Sequence, residues 1–200
     1  MKDAEPAVYF LTENAGKYRE ASRLAARFGV KLGRLSFSKQ EIQSNDLTEI
    51  AMHAARQAAS EHGCNVVSED AGFFVDALKG FPGPYSSYVY RTLGVGGILK
   101  LMEGVKNRRA FFKAAVAYCE PRQHAHCFTG GVGGTVSKKA RGSGGFGFDP
   151  IFIPAGGEGR TFAEMSVDEK NALSHRSKAF GKFFLWLTSV RSRVTLRQVK

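Results

Sequence analysis

Three polar residues near the start of the chain are suited to binding a phosphate group. Thr12, Asn14 and Lys17 lie in a short loop between an apolar run and a helical pattern that ends at Gly29. Backbone N–H groups at a helix N-terminus attract anions, and these side chains add hydrogen bonds and a cation. A plain capped helix start with a surface lysine explains an isolated match of this kind equally well.

Two adjacent acids could hold a metal ion. Glu69 and Asp70 follow the apolar run at residues 66–68, which we interpret as a buried strand. In open α/β sheets ligands gather at the carboxyl ends of strands, and Mg²⁺ prefers carboxylate and phosphate oxygens. Glu41, in another strand-to-helix connection, could complete the site. The alternative is an exposed turn with two solvated acids, and we favour the metal site because the strand would direct both acids to one edge.

A glycine-rich segment in the second half could bind a planar ring. Phe146 and Phe148 alternate with glycines, and Asp149-Pro150 follows. Such rings form a flexible wall on which a nucleobase could stack, although a core-facing aromatic turn is the alternative. The glycine spacing at residues 142–147 formally matches a dinucleotide-binding fingerprint, but a proline so soon afterwards prevents the required helix.

The last group of candidates lies in a predicted long helix at residues 167–190. Lys170 and Ser174 are four residues apart and would share a face. His175 and Arg176 could donate hydrogen bonds to a carbonyl oxygen, which a 6-keto purine carries where adenine carries an amine. Taken alone, this group fits a basic helix surface better.

The elements that would position these residues alternate between strand and helix, and a hairpin follows. The predicted elements are strands at residues 8–11, 66–68, 111–118, 125–136 and 151–153, and helices at residues 18–28, 46–62, 93–102 and 167–190. This order predicts an α/β domain with a mixed sheet and a second lobe. We find no repeat or long linker, so the prediction is one domain over residues 1–200.

Composition limits the class of protein. The 200 residues are 43% hydrophobic and 24% charged, which is typical of a globular domain. The net charge is +11, and the excess lies in residues 106–200, with 17 Lys/Arg and 6 Asp/Glu, which suits a polyanionic substrate or partner. Three cysteines without C-x-x-C spacing, a polar N-terminus and no apolar run of about 20 residues predict a soluble protein of the reducing cytoplasm.

Together, these motifs resemble those of the inosine triphosphate pyrophosphatase family (Ham1-like, non-standard purine NTP pyrophosphatases). The matching stretches are Thr-x-Asn-x-x-Lys at 12–17, Glu-Ile-Gln at 41–43, SEDAGFFVDALKGFPGPYSS at 68–87, GSGGFGFDPIFIP at 142–154, TFAEMS at 161–166 and EKNALSHR at 169–176. They span nearly the whole chain, and the PGPYSSYVYRTLG segment is most similar to archaeal members.

The resemblance implies an elongated two-lobed α/β fold with a central mixed sheet and a cleft. It implies Mg²⁺-dependent hydrolysis of ITP, dITP and XTP to a nucleoside monophosphate and pyrophosphate, by a homodimer. Glu41 and Asp70, with help from Glu69, would hold the ion, and Asp70 would be the base that activates water. The implied substrate contacts are Thr12, Asn14, Lys17, Ala71, Phe146, Gly147, Phe148, Asp149, Lys170, Ser174, His175 and Arg176.

Two positions depart from the family pattern. Glu13 replaces a small residue, often Gly, so an acid would lie near the triphosphate. Many bacterial members also carry a phosphate-contacting lysine in the second helix, where this chain has Ala54, with Arg56 nearby. The group that replaces this lysine is not evident from the sequence.

Two other functions compete with this interpretation. The basic second half suits a nucleic-acid-binding protein, although no RNA-recognition or helix-turn-helix pattern is evident. A pyrophosphatase of methylated pyrimidine triphosphates, with a related fold, is the other, and residues 174–176 favour purines instead.

Overall fold

The computed structural model describes residues 6–36 and 42–198, and the side chains up to residue 190. The strands are β1 (Val8–Leu11), β2 (Leu32–Leu35), β3 (Val66–Val75), β4 (Pro82–Gly83), β5 (Arg109–Cys119), β6 (His126–Val136) and β7 (Phe152–Pro154). The α-helices are α1 (Ala15–Arg27), α2 (Leu47–His62), α3 (Ser86–Thr92), α4 (Gly94–Leu101), α5 (Val167–Leu173) and α6 (His175–Gln198). Short 3₁₀ turns lie at Asp76–Leu78, Asp149–Ile151 and Phe162–Glu164.

A mixed sheet connects these elements. Within the described residues its strand order is β2-β1-β3-β5-β6-β7, with β4 paired to β3. Strand β1 is parallel to both β2 and β3, whereas the pairs β3–β5, β5–β6 and β6–β7 are antiparallel. This confirms the predicted mixed sheet with flanking helices. No helix in the described part of the chain is long and apolar enough to cross a membrane.

Helices pack on both faces of the sheet. Helices α1 and α6 bury their apolar residues against one face, where Phe10 contacts Phe180 with ring centroids 5.1 Å apart. Helix α2 covers the other face with a row of alanines packed on Val66 and Ala115. A third cluster, rich in phenylalanine, lies beneath α3 and α4 and includes Phe73 and Phe148.

Local signals predicted the first helices well. Asn14 caps α1 by accepting hydrogen bonds from the backbone of Gly16 and Lys17. Asp46 caps α2 in the same way, and Gly63, with a φ of 62°, ends it in the left-handed conformation. The predicted hairpin is confirmed as β5 and β6. Helix α3 was not predicted.

The position of Glu69 and Asp70 differs from the prediction. They lie in the middle of β3, which continues to Val75, and not in a turn after it. Successive residues of a strand point to opposite faces. Val67 and Glu69 therefore face α1 and α6, whereas Asp70 faces the side of α2.

The predicted long helix is two helices. Helix α5 ends at Leu173 and α6 begins at His175, because Ser174 is extended with a ψ of 153°. The Ser174 hydroxyl accepts a hydrogen bond from the backbone N–H of Ser177 at 3.1 Å and so caps α6. The expectation that Lys170 and Ser174 share one helical face was therefore wrong.

Candidate active site

A cavity of about 620 Å³ opens beside the middle of the sheet. The loop before α1, strand β3, helix α3 and the glycine-rich segment each contribute to its wall. Its lining residues are Leu11, Thr12, Glu13, Asn14, Lys17, Glu69, Asp70, Ala71, Pro84, Ser86, Ser87, Tyr90, Arg91, Phe112, Phe146, Gly147 and Phe148. Segments far apart in the sequence, including most of the predicted site residues, thus meet at one cavity.

The loop before α1 is held in a fixed shape. The Asn14 side-chain oxygen accepts from the N–H groups of Gly16 at 2.8 Å and Lys17 at 3.0 Å, and Thr12 Oγ1 accepts from Asn14 N–H at 3.1 Å. Arg34 donates to the backbone oxygens of Thr12 and Glu13. Thr12 and Asn14 accept these hydrogen bonds through their oxygens, so the Thr12 hydroxyl hydrogen, the Asn14 amide N–H₂ and the Lys17 ammonium are donors that an anion can reach.

Glu69 joins the two predicted halves of the site. Its Oε2 lies 2.8 Å from Lys17 Nζ, and its Oε1 lies 3.0 Å from Arg176 Nη2. Burial alone would raise the pKa of Glu69, but the charges of Arg176 and Lys17 lower it to about 2. Glu69 is therefore an anion that holds Lys17 of α1 and Arg176 of α6 together.

Behind Glu69 the ion pairs continue into the protein interior. Glu20 of α1 accepts from Arg176 Nη1 at 2.6 Å and lies 2.8 Å from Lys170 Nζ. Lys170 in turn lies 2.5 Å from Asp149 Oδ2, and the same oxygen accepts from the backbone N–H of Phe146 at 2.8 Å. Burial opposes ionisation of Glu20, yet Arg176 and Lys170 lower its pKa below the usual value. Alternating charges thus connect the glycine-rich segment to α1.

His175 is buried and uncharged. Its ring stacks on Phe112 with centroids 4.7 Å apart and an interplanar angle of 11°. Burial, followed by the positive charge of Arg176, lowers the pKa of His175 well below its usual value. Its Nδ1 has no hydrogen-bond partner among the described residues, so this nitrogen is available to a ligand that reaches it.

Phe146 separates the cavity from the buried cations. Its ring centroid lies 4.5 Å from Lys170 Nζ and 5.2 Å from Arg176 Cζ. Phe146, Gly147, Phe148 and Ala71, which the sequence predicts as substrate contacts, line the cavity. The remaining predicted contacts of the base lie behind this wall and are at most 3% exposed; they are Asp149, Lys170, Ser174, His175 and Arg176.

Phe148 has a larger structural role than the sequence suggested. It is 2% exposed and stacks on Phe73 with centroids 5.3 Å apart. It also lines the cavity. The alternative of a core-facing aromatic turn therefore describes Phe148, whereas Phe146, which is half-buried, fits the predicted wall.

The donor set suits a metal ion in part. The Asp70 carboxylate lines the cavity and is 8% exposed. Glu69 Oε2 lies 2.8 Å from Lys17 Nζ and its Oε1 lies 3.0 Å from Arg176 Nη2, so a metal ion at Glu69 would compete with these cations. Glu41 lies outside the described residues. Within residues 6–36 and 42–198 no three His, Cys, Asp or Glu side chains form a ready-made metal cluster.

Two residues of this site were not predicted from the sequence. Glu20 is a 4% exposed acid on the buried face of α1, beside Ala21 and Leu24. The sequence indicates its role only as an acid that interrupts the apolar face of this helix. Arg91 was missed because α3 itself was not predicted. The position of either side chain depends on contacts with segments distant in the sequence.

The chain matches known proteins over most of its length. The dITP/XTP pyrophosphatase of Methanopyrus kandleri is 50% identical over 179 residues, which cover 90% of this chain and 95% of that protein. The dITP/XTP pyrophosphatase of Thermococcus kodakarensis is 49% identical over 178 residues, or 89% and 95% of the two chains. A HAM1 protein from Coxiella burnetii has a solved structure that matches with a TM-score of 0.79 at 28% identity, covering 91% of this chain and 98% of that one. The Staphylococcus aureus Ham1 protein gives a TM-score of 0.76 at 25% identity, with the same coverage. Residues 8–186 match the Ham1 family, and the chain therefore belongs to that family.

Proposed function

We propose that this protein hydrolyses non-standard purine nucleoside triphosphates, namely ITP, dITP and XTP, to the monophosphate and pyrophosphate, and so clears them from the nucleotide pool. The observation that carries the proposal is that Lys17 and Arg176 bind the same carboxylate, Glu69, beside the cavity that Asp70 lines. The names of the similar archaeal proteins support the same substrate class.

The phosphate chain would bind at the start of α1. Lys17, the Thr12 hydroxyl and the Asn14 amide would contact phosphate oxygens, where negative charge develops during the transfer. A divalent ion, which we propose is Mg²⁺, would neutralise part of this charge when bound by Asp70 and Glu41. Asp70 would accept the proton of the attacking water, since its carboxylate lines the cavity.

The purine would stack on Phe146. The proposed contacts of its keto group are Lys170, His175 and Arg176, assisted by Asp149 and Ser174. Because these side chains lie behind Phe146, this role requires the Phe146 loop to turn aside when the base enters. Gly145 and Gly147, on either side of Phe146, have φ values of 68° and 61°, which glycine adopts without strain. These glycines therefore allow the loop backbone conformations that residues with a side chain adopt only with strain.

The proposal includes the setting of the enzyme. We propose a single catalytic domain with two lobes that acts as a cytoplasmic homodimer, on the basis of the family resemblance. Light scattering coupled to size-exclusion chromatography tests the dimer. A monomer at micromolar concentration would contradict this part of the proposal without affecting the reaction.

A substrate panel tests the reaction itself. Purified protein with Mg²⁺ is supplied with ITP, dITP, XTP, ATP, GTP and a methylated pyrimidine triphosphate, and the released phosphates are identified. We expect pyrophosphate from the three keto-purine substrates and a much lower kcat/KM for ATP. Release of orthophosphate, or equal turnover of ATP, would refute the proposal. Preference for the methylated pyrimidine would favour the related pyrophosphatase activity.

A further inference from the structure

The charges around the cavity are poorly balanced for a polyanionic substrate. The acids that line it are Glu13, Glu69 and Asp70, and the cations that line it are Lys17 and Arg91. Lys17 is already paired with Glu69 at 2.8 Å. A triphosphate carries several negative charges, so it needs further positive charge beside it.

Arg91 is the second cation of this wall. Its side chain is exposed, and in the described part of the chain no carboxylate lies within ion-pair distance of it. Its Nη1 donates a hydrogen bond to Ser87 Oγ at 3.3 Å, one turn earlier on α3, and both residues line the cavity. The guanidinium is therefore held loosely at the cavity and keeps most of its donors available.

Helix α3 is fixed in place by contacts at both ends. The Ser86 hydroxyl donates to the backbone oxygen of Gly83 at 2.6 Å and accepts from the N–H of Phe73 in β3 at 2.7 Å. The Tyr90 ring packs edge-on against Phe148 with centroids 5.6 Å apart. These contacts hold the wall that carries Arg91 against the same strand that carries Asp70.

We propose that Arg91 is a substrate-binding residue that contacts the phosphate chain of the triphosphate, and this inference rests on the proposed function. A guanidinium presents a fork of N–H donors that matches two phosphate oxygens. Arg91 also accounts for the lysine that is missing from the second helix. Ala54 is 2% exposed on the buried face of α2, and Arg56 does not line the cavity, so neither can replace it.

The kinetic test compares Arg91→Gln and Arg91→Lys with the unchanged protein. For Arg91→Gln we expect the KM for ITP to rise about 10- to 100-fold, the range for loss of a charge-assisted hydrogen bond, with kcat changed much less. Arg91→Lys should bind ITP more tightly than Arg91→Gln and less tightly than the unchanged protein, because lysine keeps the positive charge but lacks the paired N–H donors of the guanidinium. The matched control is Arg109→Gln, which removes an exposed arginine that pairs with Asp76 and does not line the cavity. An Arg91→Gln protein with the KM of this control would overturn the inference and leave the proposed function intact.

A binding measurement tests the role of Arg91 without depending on hydrolysis. Calorimetric titration of inorganic tripolyphosphate with Mg²⁺ into each protein should show about 10-fold or more weaker binding to Arg91→Gln than to the control. Equal affinities, or no binding even to the unchanged protein, would overturn the role of Arg91. If the unchanged protein binds tripolyphosphate through Arg91 but releases no pyrophosphate from any triphosphate, the anion site stands and the proposed function fails.

Discussion

The guanidinium of Arg176 donates a hydrogen bond from Nε to Glu69 Oε1 at 3.1 Å, and its Nη2 lies 3.0 Å from the same oxygen. Its third nitrogen donates to Glu20 Oε2 at 2.6 Å. The first turn of α6 is therefore fixed to β3 and to α1 by one side chain that is 2% exposed. A buried network of this kind is stable only while each charge keeps its partners.

Replacing Glu20 should expose this dependence. Glu20→Gln keeps the shape but removes the anion shared by Lys170 and Arg176, so those cations remain buried with less compensation. We expect the free energy of unfolding to fall by about 3–5 kcal/mol, measured by urea denaturation. Glu61→Gln, on the surface of α2, should cost less than about 0.5 kcal/mol. Equal losses in the two variants would show that the network contributes nothing to stability.

The pH dependence of stability should depend on His175. Burial and then the charge of Arg176 lower its pKa well below 6.5 in the folded protein. Below about pH 6.5 the unfolded chain takes up a proton at this histidine that the folded chain does not, so stability falls as the pH falls. The slope from this group is about 0.7 kcal/mol per pH unit at the reference pKa, and it approaches about 1.4 kcal/mol per pH unit roughly one unit below it.

His175→Gln removes this group and should flatten the fall in unfolding free energy between pH 7 and pH 5. The variant is less stable at pH 7, because it loses the stacking on Phe112. The comparison therefore uses slopes and not absolute values. His53→Gln, at an exposed position of α2, is the matched control. If both variants keep the slope of the unchanged protein, His175 is not the group responsible.

The elements that sequence predicted correctly are those whose signals are local. Asn14 and Asp46 cap their helices through their own neighbours, and Gly63 ends α2 by its own backbone conformation. The end of β3 is different, because ten of its residues pair with β5 more than thirty positions later. The pairing with β5 extends the strand through Glu69 and Asp70. The apolar run in the sequence ends before these two acids, so it predicted that the strand ends there.

In the candidate site, too, the features with local sequence signals were predicted and those that depend on distant contacts were not. The motifs identified Lys17, Asp70 and Phe146 at the cavity, but not which side chains lie in the wall and which lie behind it. That distinction depends on the break at Ser174 and on the ion pairs of Glu20, which join segments about 150 residues apart. Periodicity alone contains no information about such contacts.

Helix α6 lies so close to strand β6 at Gly130 that a larger residue does not fit there. A methyl group at Gly130 would lie 2.6 Å from the backbone nitrogen of Ala179 and against the carbonyl oxygen of His175. Gly130→Ala should therefore push the start of α6 away and cost about 1–3 kcal/mol, measured by thermal unfolding. At the neighbouring Gly131 the nearest atom is Phe112 O at 3.6 Å, an ordinary contact. Gly131→Ala should be nearly neutral, and a variant at Gly130 that is equally stable would contradict this packing.

Asp70 should be required for the chemical step and not for folding. Asp70→Asn keeps the size of the side chain but removes the carboxylate that would accept the proton of water. Because a positioned base contributes about 10²- to 10⁴-fold, kcat for ITP should fall by at least 10²-fold. Circular dichroism and the KM for ITP should show that the fold and the cavity persist. Asp76→Asn, which replaces a surface partner of Arg109, controls for loss of a nearby acid. Turnover by Asp70→Asn within a few-fold of this control would remove Asp70 from the role of base, and the proton would then have to go to another group at the cavity.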